Sequence, residues 1–178
     1  MNWFEVDQKG LRKLLARRGK QYILCELLQN AWDEHSQTVH ATLQKTPTGR
    51  NYEIVVQDDN PLGFKKLSHA FTLFAESTKN VDPDKRGRFN LGEKLVLAAC
   101  QKAEICSNGT VSFNPNGKKH HRTKTKKGSR FTAILPIIDQ EAQTCHRATE
   151  QLIPPPGIQT YYSNYSHGKR QRALIDES

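Results

Sequence analysis

Glu26-Leu27-Leu28-Gln29-Asn30-Ala31-Trp32-Asp33-Glu34 is the stretch on which the reading of this chain turns. It lies inside a segment, Gln21 to His35, whose apolar residues Ile23, Leu24, Leu27, Leu28, Ala31 and Trp32 recur at helical spacing. The segment contains neither Gly nor Pro and is rich in strong helix formers, so it predicts a largely buried helix. Glu26, Asn30 and Asp33 stand at i, i+4 and i+7 and therefore share one face. A narrow polar stripe on a buried helix is costly unless its groups are paired or serve a ligand. A carboxylate and a carboxamide one turn apart suit a hard, oxygen-liganded magnesium ion beside a polarised water. The plainer reading is an amphipathic helix with its wet face outward, and this segment taken alone favours it.

Working outward, Leu11, Leu14 and Leu15 predict an earlier helix over Asp7 to Arg18, interrupted by Gly19. Downstream, Thr38 to Gln44 and Tyr52 to Gln57 are β-prone, with a turn around Pro47 and Gly49 between them. A loop with Asn60, Pro61 and Gly63 and a short helix near Lys66 to Leu73 follow. Ser77 to Asn90 is polar and poor in aliphatics, which predicts a mobile loop before an apolar helix, Leu91 to Lys102. Strands are expected at Ala103 to Cys106, Thr110 to Phe113 and Arg130 to Leu135, the last stopped by Pro136. A final helix should run from Asp139 to Leu152, before an extended stretch at Pro154 to Pro156. Helices, two strands, helices and three strands do not make a regular βαβ alternation. The order predicts an α+β fold, a two-layer sandwich with helices on one face of a mixed sheet. The expected division is residues 1–138 as one domain and 139–178 as a helix with the start of a following one.

The bulk properties agree with a globular chain. At 178 residues, 35% hydrophobic and 25% charged, it suits one domain with a sizeable core. No long apolar run predicts a membrane span, and the N-terminus lacks a signal-like apolar region, so the expected location is cytoplasmic. Cys25, Cys100, Cys106 and Cys145 lie far apart without metal-ligand spacing and read as reduced thiols, Cys25 and Cys100 within apolar runs. The net charge of +9 is concentrated: seven Lys and Arg fall between Gly117 and Arg130. That stretch reads as an exposed loop between two strands, suited equally to idle solvation and to nucleic-acid contact. Lacking aromatic residues, it predicts contact through Lys118 to Arg130 with phosphates and no reading of sequence.

Three further segments carry chemistry. In Val55-Val56-Gln57-Asp58-Asp59-Asn60-Pro61-Leu62-Gly63-Phe64 a strand ends in two acids and a turn, placing a carboxylate that could accept from an exocyclic amine. Gly87-Arg88-Phe89-Asn90-Leu91-Gly92-Glu93-Lys94 leads into a helix whose free amides favour phosphate, although no Walker motif is present. Gly128-Ser129-Arg130-Phe131 opens a strand with a glycine and a hydroxyl. Together and in this order, the four segments resemble the nucleotide-binding motifs of the gyrase, heat-shock chaperone, histidine kinase and MutL superfamily (GHKL), which has the Bergerat fold. ELLQNAWDE resembles its ExxxNAxD motif, VQDDNPLGF its DxGxG motif, GRFNLG the glycine motif ending the ATP lid, and GSRFTAILP the closing strand. Phe74 to Lys79 also resembles the segment before the lid in MutL-like members.

The resemblance implies ATP and magnesium as cofactors. Glu26 would be the general base, Asn30 the magnesium ligand and Asp33 a residue shaping the pocket. Asp58 would take the adenine amine, with Gly63 in the turn beyond it and Ser129 supporting the adenine site. Lys79, Gly87, Phe89, Asn90, Leu91 and Gly92 would meet the phosphates from the lid. Two departures stand out: Asn60 replaces the first glycine of DxGxG, with one extra residue before Gly63, and Asn90 replaces a lid glycine. The expected function is an ATPase whose lid drives dimerisation or partner binding; a sensing or scaffold module without turnover is the alternative. A sensor kinase fits less well, because Glu26 occupies the hydrolytic position and the residues before it leave no room for a phosphoacceptor helix. The resemblance also implies a lysine from a following domain at the γ-phosphate, so a homodimer or a longer chain is the expected context.

Overall fold

The computed structural model describes residues 19–34, 36–62, 99–114, 117–166 and 169–175. Helix α1, Gln21–Trp32, buries Ile23, Leu24, Leu27, Leu28, Ala31 and Trp32, the stripe that its spacing predicts. It ends three residues short of His35: the Asp33 amide still donates to the Gln29 carbonyl (3.1 Å), and the Ser36 hydroxyl then takes up the Ala31 carbonyl (2.8 Å). Satisfying these last carbonyls is what lets a buried helix stop.

Strands β1, Thr38–Lys45, and β2, Tyr52–Asp58, form an antiparallel pair. Their connection turns on Gly49, whose φ of 70° lies in the left-handed region. Strands β3, Lys102–Cys106, β4, Thr110–Asn114, and β5, Gly117–His121, make an antiparallel meander. Strand β6, Arg130–Leu135, joins β3 to β2, both antiparallel. Helix α2, Asp139–Glu150, leads to β7, Gln159–Ser166, and β8, Lys169–Ile175. The eight strands form one sheet in the order β5-β4-β3-β6-β2-β1-β7-β8, mixed because β7 runs parallel to β1. Strand β6 also runs parallel to β7, and such a connection needs a crossover, which α2 supplies.

Alternation assigns the faces. Val39, Ala41 and Leu43 of β1, Ile54 and Val56 of β2, and Phe131, Ala133 and Leu135 of β6 share one core with the buried side of α1. Ala142 and Cys145 of α2 and Tyr162 of β7 belong to the same core. Both described helices thus cover one face, an α+β arrangement over a mixed sheet. The Trp32 indole N–H donates to the Thr160 hydroxyl (2.9 Å), tying the end of α1 to β7 inside the core.

One expectation is corrected. The basic stretch is not all loop: Gly117–His121 is the edge strand β5, paired along its length with β4. After it, residues 139–178 contribute α2 and the strands β7 and β8, and these two strands extend the same sheet. No disulfide joins the four cysteines, and burial pushes the Cys100 and Cys145 thiols up to about 12. Among the described residues no helix is long and apolar enough to cross a membrane.

Candidate functional site

Asp58 ends β2 on the helix-facing side, in phase with Tyr52, Ile54 and Val56. Its side chain is 7% exposed. Continuing the register of β2 with β6, the Asp58 amide donates to the Ser129 carbonyl (3.0 Å). The amides of Asn60 (2.9 Å) and Ser129 (3.2 Å) in turn both donate to Asp58 Oδ1. Among the described residues both donors go to Oδ1 and none to Oδ2. Burial pushes the Asp58 carboxyl up to about 6; the Asn60 and Ser129 amides pull it down, and the charges of Glu34 and Asp59 add to the rise.

Gly128 makes the close approach of the two chain segments feasible. Its φ is 72°, and a Cβ there would overlap the Asp58 carbonyl. Only glycine meets both conditions without strain. Around it, the Thr125 hydroxyl donates to the Gly128 carbonyl (2.6 Å), and the Ser129 hydroxyl donates to the Ser107 hydroxyl (3.2 Å). Ser129 and Ser107 are both buried. The turn between β3 and β4 therefore backs the start of β6 directly behind Asp58.

The two acids at the end of β2 do different work. Asp59 Oδ1 accepts the amides of Gln37 (2.8 Å) and Thr38 (3.0 Å), and Oδ2 faces the Lys127 ammonium at 3.2 Å. Partial burial works upward on Asp59, but those two amides and Lys127 outweigh it and hold the carboxyl below its ordinary value. Asp59 thus fastens the start of β1. Asn60, which stands where the resemblance expects glycine, is buried and accepts the Leu62 amide (3.0 Å) on its own Oδ1. Asp58 and Asn60 each bond an amide two residues on, so consecutive Asx turns build a loop that glycine would otherwise make.

Glu26, Asn30 and Asp33 are all partly buried along α1, with Asp33 as the C-cap residue just past its last turn. The helix lies against β1, β2 and α2. Its C-terminal end is the one near Asp58, since Glu34 contributes to the charge felt there. At a rise of about 1.5 Å per residue, Asn30 and Glu26 lie roughly 6 and 12 Å farther along the helix from Glu34. Gly63, Lys79, Gly87, Phe89, Asn90, Leu91 and Gly92 lie outside the described residues, as does the whole predicted lid. Among the described residues no group of three or more His, Cys, Asp or Glu side chains is gathered around a common point. A magnesium ion shared with phosphates needs no such cage, because it keeps several waters and takes one or two protein oxygens.

At the opposite end of β2 there is a wide depression of about 500 Å³ lined by Gly49, Arg50, Ile137, Ile138, Asp139 and Gln140. Its carboxylate is already engaged: Asp139 holds the Lys45 ammonium (2.7 Å) and the Tyr52 hydroxyl (2.9 Å). The polar convergence at Asp58 is therefore the better candidate. Sequence reasoning paired Asp58 with Ser129 in one site, and the fold brings them into contact across 71 positions. It missed Ser107, Thr125 and Lys127 as supports, because serines, threonines and lysines in turns carry no local signal of their distant partners. No protein-family model and no curated protein matches the chain.

Proposed function

We propose that this chain is a Bergerat-fold ATP-binding domain that takes ATP with magnesium and hydrolyses it. The observation that carries the reading is the buried Asp58 carboxylate, held through Oδ1 by two amides with Oδ2 left to accept. An exocyclic amine such as that of adenine would supply a donor to this oxygen, which takes none among the described residues, whereas the carbonyl of guanine at that position would oppose it. Ser129 positions the acceptor through its amide, and its hydroxyl joins Ser107 to form a polar wall beside the base.

The remaining roles follow α1. With the base at Asp58, Asn30 and Glu26 stand progressively farther along the helix, in the order in which a nucleoside triphosphate would run from base to phosphates. Asn30 would offer its amide oxygen to magnesium. That ion, when bound, neutralises phosphate charge and orients the terminal group. Glu26 would take a proton from the attacking water, and its partial burial keeps it beside the same face. Asp33 and the helix end close the pocket next to Asp58.

The test uses two substitutions with opposite expectations. Asp58→Asn turns an acceptor toward a mismatched amide, and should weaken ATP binding by about 1–3 kcal/mol in calorimetry. Glu26→Ala should bind ATP as the wild type does while its turnover falls about 10²–10⁴-fold. If Asp58→Asn binds ATP with wild-type affinity, the base is held elsewhere and this reading fails.

A further inference from the structure

The face of the sheet turned away from the helices is polar, and one row across it holds no carboxylate. Registers place Arg130 opposite Gln57, Gln57 opposite His40 and His40 opposite Tyr161, one residue from each of four adjacent strands. Arg130, Gln57 and His40 are exposed and Tyr161 is half-buried, while their neighbours Phe131, Val56, Val39 and Tyr162 point into the core. With strands about 4.8 Å apart, the row from β6 to β7 spans roughly 14 Å. His40 and Tyr161 are stacked, their ring centroids 4.9 Å apart and their planes 12° from parallel. Because β2 and β7 flank β1 on opposite sides, the imidazole face turned from Tyr161 looks toward Gln57 and Arg130.

The same row runs on toward the most basic part of the molecule. Beyond Arg130 the register passes through Cys106 and the buried Thr110, whose side chains both reach the Thr123 carbonyl, to His121 at the sheet edge, where Lys119, Arg122, Lys124 and Lys126 are exposed. The acids on this face stand in other rows: Glu104 is opposite Thr132, and Glu53 receives the Gln44 amide (2.6 Å). Lys127 in the basic stretch is paired with Asp59.

We infer that this open face binds single-stranded nucleic acid, with the backbone on the β5 edge and the basic segment after it, and bases laid along the row to the His40–Tyr161 stack. The aromatic pair that the basic stretch lacks in sequence is supplied by β1 and β7. A flat row with a stacking end favours unpaired bases, because a duplex keeps its base faces covered. The inference stands apart from the nucleotide site, since none of its row residues touches Asp58 Oδ2. It concerns the phosphate and unpaired base that DNA and RNA share.

Fluorescence anisotropy with labelled oligo-dT, oligo-U and a DNA duplex of equal length tests it. Both single strands should bind more tightly than the duplex, with affinity falling steeply as salt rises. Tyr161→Thr, which keeps a strand-forming residue, should lose about tenfold in affinity with the salt slope unchanged, and Tyr161→Phe should restore it. Replacing Lys119, Lys124 and Lys126 by Gln should lower the slope instead. Asp58→Asn should leave binding intact, which separates failure here from failure of the nucleotide reading. Equal or tighter duplex binding, displacement of the strands by polyglutamate at equal charge, or an unaltered Tyr161→Thr variant would overturn it.

Discussion

At Asp58 the proposed function and stability pull in opposite directions. Folding lifts its pKa from an ordinary 3.8 to about 6, so the native state holds the proton more firmly than the unfolded chain does. The group therefore favours folding below the ordinary value and loses that contribution as pH rises through about 6. At neutral pH the ionised, buried carboxylate is a strain that Asp58→Asn relieves, since an amide oxygen still accepts from Asn60 and Ser129. That variant should be more stable than the wild type by about 1–3 kcal/mol in urea unfolding at neutral pH, and the gain should vanish below about pH 4. Nucleotide affinity of the wild type should weaken as pH falls through the same window, because the acceptor becomes protonated. Gly128→Ala should do harm alone: positive φ for a non-glycine residue costs about 1–3 kcal/mol, and the Cβ meets the Asp58 carbonyl besides. Chemical denaturation would show both effects. Asp58 and Ser129 were paired only through the resemblance of their two segments to motifs of one nucleotide site, because neither segment carries a local signal of the other. The resemblance singled out Asp58 and left Asp59 without a role, since only the fold reveals that Gln37, Thr38 and Lys127 converge on it.

Among the elements, α1 carries both the core and the proposed chemistry. Leu28 is fully buried beneath it, so Leu28→Ala should cost about 2–5 kcal/mol in thermal or urea unfolding, whereas Glu26→Ala on the other face should cost little. A change in stability confined to Leu28 would show that the two faces are separable. Strong periodicity made α1 legible to within three residues, and β6 was legible at both ends because Gly128 and Pro136 bracket it. Strand β5 was hidden by its composition. Lys and His on an edge strand contribute little to a core, and charge at an edge opposes pairing with other chains. What makes it a strand is backbone pairing with β4, which leaves no trace in hydrophobic pattern. Strands β7 and β8 were hidden for another reason: Pro154 to Pro156 read only as an extended stretch, while the partner of β7 is β1, more than 100 residues earlier. Non-local pairing of that kind is settled by the sheet as a whole.

On the scale of the molecule, the two proposals would put one sheet to two uses. Its covered face and the end of β2 shape a buried acceptor beneath α1; its open face offers a polar, basic row. The α+β class was legible from the order of elements, and the joining of β7 and β8 to the same sheet was not. The central claim is the nucleotide site, and it rests on an acceptor oxygen that prefers an amine to a carbonyl. The most direct measurement is isothermal titration of the wild-type chain with ATP and with GTP, in magnesium at neutral pH. ATP binding should be measurable, and GTP binding weaker by about tenfold or more, the effect of one mismatched buried hydrogen bond. Equal affinities for the two nucleotides would contradict it.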